Sequence, residues 1–180
     1  MAVLIGGSDL FSGMRGLSKG TKIISQEITS LFDKILTINY NYFLDFGVAL
    51  DKAFKAIEEE HPDALVLYGY SKGGHVLLQL ARMLENRITI DLLITIDIAN
   101  GPWSHKINRN LPGNVKRNIN VYQSTPSFPL GSYGLPNYSN GNVAIDNIDL
   151  TRKTISDREV NHSNIEMLVL DDVIEWIKMA

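Results

Sequence analysis

The chain has 180 residues, no cysteine and a formal net charge of −3. That length suits a single domain with a sizeable core, and the charge balance leaves no basic footprint for nucleic acid. The lack of cysteine excludes disulfides and thiolate chemistry, and no apolar run approaches a membrane span.

The apolar residues 3–5, closed by Gly6-Gly7, predict a short strand. This opening has no basic flank and is too short for a secretory leader, so a soluble chain is expected, cytoplasmic or else the mature form of a secreted one. Ile23, Ile24, Ile28, Leu31 and Phe32 recur at helical spacing and predict a helix over 18–32. Residues 34–39 read as a strand. The clearest amphipathic helix is 45–60, with Leu50, Ala53, Phe54 and Ile57 on one face. Pro62 ends it. A buried strand at 64–68 follows, then a helix at 73–85 with Leu77, Leu80, Ala81 and Leu84 on one side. Residues 90–98 and 119–123 read as further strands, and 164–178 as a terminal helix.

Apolar strands alternating with amphipathic helices argue for a three-layer α/β/α arrangement around a mostly parallel sheet. Its crossovers should be right-handed. In such sheets the active crevice lies beyond the carboxyl ends of the strands. The functional search therefore falls on 6–9, 40–42, 69–74, 97–103 and 124 onward. Two segments, 100–118 and 124–142, hold most of the Pro, Gly and Asn. Loops of that length are commonly functional. Phe128, Tyr133 and Tyr138 favour a pocket wall or lid in the second, and Trp103 does so in the first.

The junction Gly69-Tyr70-Ser71-Lys72-Gly73 lies between a strand and a helix. Gly-x-Ser-x-Gly in that setting is a nucleophile elbow. A sharp turn projects the Ser71 hydroxyl from the sheet edge. Side chains at 69 or 73 would collide with neighbouring backbone. The helix that follows aims its amides and positive dipole end at the same place, with the Lys72 N–H as one oxyanion donor. A glycine-rich turn with a capping serine is the plainer reading. A phosphate loop fits poorly, because Gly-Lys-Ser/Thr is absent.

The stretch LVLYGYSKGG, with the element order around it, resembles the α/β-hydrolase family over most of the chain. The resemblance implies a minimal version of that fold, lacking the family's first two antiparallel strands. It also implies a chain order of Ser, then Asp or Glu, then His. His162, just before the terminal helix, stands where the family places its general base. His61 reads as a surface cap, His75 as a packing or solvent-facing residue, and His105 as a pocket residue. Asp97, at the end of the strand after the elbow helix, is the leading acid, since a buried carboxylate needs a partner. The plainer reading of Asp97 is a cap on the following loop. Asp146 and Asp149 are the alternatives one strand later. The second oxyanion donor should come from Gly7 or Ser8.

The expected activity is that of a serine hydrolase cleaving a carboxylic ester, lipid or thioester through an acyl-enzyme on Ser71. No metal or organic cofactor is called for. The partner is a small acyl substrate, held by Trp103, Phe128 and Tyr133. A non-catalytic binding domain, or an acyltransferase using the same residues, are the other readings.

Overall fold

A computed structural model describes residues 1–7, 17–39, 46–127 and 131–180. Six strands form one parallel sheet: β1 (Ala2–Gly6), β2 (Ile35–Asn39), β3 (Val66–Tyr70), β4 (Ile90–Ile96), β5 (Val115–Tyr122) and β6 (Ala144–Asp149). Their spatial order is β2-β1-β3-β4-β5-β6. The helices are α1 (Lys19–Glu27), α2 (Phe46–Glu60), α3 (Lys72–Met83), α4 (Ile165–Leu168) and α5 (Leu170–Lys178). A small antiparallel hairpin, β7 (Thr154–Ile155) and β8 (Arg158–Glu159), precedes α4.

The central strands are apolar on both faces, so each face needs a cover. On one face Leu65, Leu67, Ile5 and Leu93 pack with Ala53 and Ile57 of α2 and Leu77, Leu80 and Ala81 of α3. On the other, Leu4, Tyr68, Ile94 and Val121 pack with Ile24 of α1 and Ile165, Val173 and Ile177 of the terminal helices. The three-layer expectation therefore holds.

Several boundaries differ from the sequence reading. The α1 helix stops at Glu27, and residues 28–31 are turn. The helix expected at 73–85 starts one residue earlier and ends at Met83, and the strand expected at 90–98 ends at Ile96. Strand β3 runs two residues past 68, so Gly69 and Tyr70 are strand and the turn falls on Ser71. The loop expected at 100–118 ends at 114, because Val115 to Asn118 already pair with β4. The terminal helix is broken at Val169. Strand β6, at the sheet edge and largely exposed, is an element that apolar patterning does not reveal.

The described residues between β5 and β6 form a loop where a crossover helix is usual. An amide ladder holds it to the sheet. Asn137 donates to Thr95 Oγ1 at 3.1 Å and to Asn118 Oδ1 at 3.0 Å. Asn120 donates to Asn147 Oδ1 at 2.8 Å, and Asn147 donates to the Asn137 carbonyl at 2.8 Å. Asn118 and Asn120 are fully buried. Polar groups so placed are tolerated because they satisfy one another.

Strand order reverses around β1: the chain steps from β1 outward to β2, then crosses back to β3. The carboxyl ends of β1 and β3 flank that switch point, where open α/β sheets bind ligands. Gly7 and Ser71 sit there.

Candidate active site

Ser71 holds φ 55° and ψ −121°. A non-glycine residue adopts positive φ only when its surroundings impose it. The imposition is visible. A Cβ on Gly73 would lie 2.0 Å from the Ile5 carbonyl oxygen, and one on Gly69 would lie 2.7 Å from the Gly74 nitrogen. The α3 backbone thus presses directly on β1 and β3. The Ser71 N–H donates to the Ile96 carbonyl at 2.9 Å, which fixes the turn to β4.

The hydroxyl makes no capping bond to α3. It faces His162 instead, with Oγ 2.9 Å from Nε2. His162 Nδ1 lies 2.7 Å from Asp97 Oδ2. Asp97 is fully buried and the His162 side chain is 13% exposed. An ionised carboxylate only accepts, so Nδ1 carries the proton and Nε2 is left to accept from Ser71. Three of the residues singled out from sequence, 71, 97 and 162, therefore meet in one chain of hydrogen bonds.

Neither alternative acid reaches His162. Asp146 pairs with Arg117 at 2.8 Å on the exposed edge strand. Asp149 accepts from the Thr151 N–H at 2.8 Å. The capping role for Asp97 also fails. Its carboxylate accepts from the Gln123 N–H at 3.0 Å and from Gln123 Nε2 at 3.2 Å, besides His162.

Lys72 is the first residue of α3, and burial lowers its amine below the usual lysine value. Gly7 abuts the elbow: a Cβ there would lie 2.9 Å from Ser71 Cβ. Ser8, Phe128 and the segment 40–42 lie outside the described residues. Trp103 is 56% exposed. Tyr133 OH is 3.2 Å from His105 Nδ1. His75 packs against Phe46, with ring centroids 4.9 Å apart. Burial lowers its pKa to about 4, helped by the charges of Arg109, Arg82 and Lys72, so it is neutral at pH 7. His61 is exposed. It borders a cleft of about 540 Å³ at the amino ends of the strands, away from Ser71.

Sequence reasoning misses the support around these groups. Tyr70 stacks on His162, with centroids 5.5 Å apart, and its hydroxyl donates to the His162 carbonyl. The His162 N–H donates to Ser127 Oγ at 3.3 Å. Arg109, 4% exposed, donates from Nη2 to the Ile98 carbonyl at 2.8 Å. Burial lowers its pKa to about 10, against the pull of Asp97 and Tyr133, so it stays charged at neutral pH. Glu166 is a buried carboxylate accepting from Ser18 Oγ at 2.6 Å, Thr21 Oγ1 at 2.9 Å and Tyr68 OH at 2.9 Å. Gln123 had a usable signal: it is the first residue past β5, at the carboxyl edge where the crevice rule points.

No protein-family model and no curated protein sequence matches the chain. Solved structures do. The thioesterase domain SrfTE, which cyclises the lipopeptide antibiotic surfactin, superposes with a TM-score of 0.52 at 12% identity. The match covers 98% of this chain and 90% of that one. RedJ, solved with a polyethylene glycol molecule in its active site, gives 0.50 at 10% identity over 97% and 88% of the two chains. A second structure of RedJ, a thioesterase of the prodiginine pathway in Streptomyces coelicolor, gives 0.49 at 9% identity over 97% and 84%. Identities this low speak to architecture alone. That architecture, with its parallel sheet and its tight turn after β3, is the α/β-hydrolase fold.

Proposed function

We propose that the chain is a serine hydrolase that cleaves a carboxylic ester or thioester through an acyl-enzyme on Ser71. The observation that carries this reading is the continuous path from Ser71 Oγ through His162 to buried Asp97, with steps of 2.9 and 2.7 Å. The name of the SrfTE neighbour, a thioesterase domain, supports keeping thioesters beside oxygen esters.

In this mechanism His162 Nε2 takes the Ser71 proton as Oγ attacks the acyl carbon. Asp97 holds the tautomer and stabilises the imidazolium. The backbone N–H groups of Lys72 and of Gly7 or Ser8 receive the oxyanion at the positive end of α3. His162 then gives its proton to the departing alkoxide or thiolate. Water enters, gives a proton to His162 and attacks the acyl-enzyme; His162 then returns that proton to Ser71 Oγ as the bond to the acyl carbon breaks and the acid leaves. Trp103, Phe128 and Tyr133 are assigned to the acyl-binding wall.

A fluorophosphonate probe tests the reading. Wild type should label and Ser71→Ala should not. His162→Ala should lower turnover of a p-nitrophenyl ester by a factor on the order of 10³ or more. Equal labelling of wild type and Ser71→Ala would overturn the assignment.

A further inference from the structure

We propose that Gln123 is a positioning residue that sets how strongly Asp97 holds the His162 imidazolium, an inference that rests on the catalytic reading of Ser71, His162 and Asp97. Gln123 is fully buried. It grips the carboxylate twice, with its backbone N–H on Oδ1 at 3.0 Å and its Nε2 on Oδ2 at 3.2 Å. Oδ2 is the same oxygen that accepts from His162 Nδ1. The amide orientation is fixed from its other end. The Thr125 N–H donates to Gln123 Oε1 at 3.0 Å, so the nitrogen must face Asp97.

The loop that follows closes the seat. The Gly134 N–H donates to the Gln123 carbonyl at 2.8 Å. A Cβ on Gly134 would lie 2.3 Å from Asp97 Oδ1, so bare backbone covers the carboxylate. Ser127 Oγ lies 3.4 Å from Gln123 Nε2 and accepts from the His162 N–H. Asp97 itself sits at φ 42°, a conformation its neighbours must enforce. Among the described residues, Arg109 beyond β4 attracts the Asp97 carboxylate, and Tyr70 on β3 stacks on His162.

Donation to a carboxylate disperses its charge and weakens its hold on a second donor. The Gln123 amide therefore competes with the imidazole for Asp97. Removing that amide should leave Asp97 a stronger partner for the imidazolium. His162 would then stay protonated to higher pH.

The test is an NMR titration of the full chain, following the imidazole signal that is lost in His162→Gln. In Gln123→Met the His162 midpoint should rise by roughly half a pH unit or more. Gln123→Leu, which also removes the amide donor at a similar volume, should raise it by a comparable amount. Wild-type midpoints in folded Gln123→Met and Gln123→Leu would overturn the proposal. If Gln123→Met does not fold, Gln123→Leu decides alone by the same criterion. The titration needs no turnover. A wild type that fails to react with fluorophosphonate sinks the hydrolase reading, while the midpoints still judge Gln123.

Discussion

At Ser71 the backbone, more than the side chain, is unusual. Its positive φ costs on the order of 1–3 kcal/mol for a residue bearing a Cβ, and its hydroxyl returns nothing to α3. Glycine has no such penalty. Ser71→Gly should therefore be at least as stable as wild type in urea unfolding, despite losing the bond to His162 and gaining chain entropy when unfolded. A loss of more than about 1 kcal/mol would show that the turn is unstrained. The serine, the histidine and the acid are each legible in the sequence. Ser71 is given away by its flanking glycines, Asp97 by a charge ending an apolar strand, and His162 by its place before the last helix. Gln123 is marked only by its place at a strand's carboxyl edge, and Arg109 not at all, because a buried polar residue in a loop announces itself only through the partners that folding brings to it.

The junction of β3 and α3 is the element on which the site depends. Gly73 lets the helix lie against the Ile5 carbonyl, and Gly69 lets it lie against its own strand. Gly73→Ala should push α3 off β1, costing roughly 3 kcal/mol or more in stability and losing fluorophosphonate labelling even in folded protein. Stability and labelling equal to wild type would mean that the close approach is dispensable. The helices and central strands follow plainly from apolar spacing, because each must bury one face. Strand β6 escapes that logic. Its exposed residues, Asp146 and Asp149 among them, belong to an edge half in water. The loop before it escapes as well, since asparagines take the place that leucines would hold in a covering helix.

Across the whole molecule, Glu166 joins what the sequence separates most widely. Its carboxylate collects donors from the start of α1, from β3 and from the Gly20 N–H at 3.1 Å. Burial raises its pKa above the usual glutamate value, against the lowering effect of the hydroxyls of Ser18, Thr21 and Tyr68. The folded chain therefore binds this proton more tightly than the unfolded one. The resulting stabilisation is complete below the ordinary glutamate pKa and fades as pH rises through the raised value. Glu166→Gln faces a donor toward the Gly20 N–H and should cost about 1–3 kcal/mol at pH 4. That gap should narrow as pH rises toward 8, measured by urea unfolding; a gap that widens would reverse the sign of the shift. The parallel, doubly covered sheet is legible from alternation alone. Its strand order is not, because that order depends on which helix crosses which face.

The imidazole comes from residue 162, after the last strand of the six-stranded sheet. A ribosome therefore releases the hydroxyl-bearing bend and its carboxylate well before their third partner. The same tail lays Ile165, Val173 and Ile177 on one face of the sheet, so until it docks that serine is an ordinary alcohol on a half-covered scaffold. On the proposed mechanism reactivity begins only when the tail docks, and a protease cut at the hairpin before it should cost the protein both its imidazole and the cover of that face.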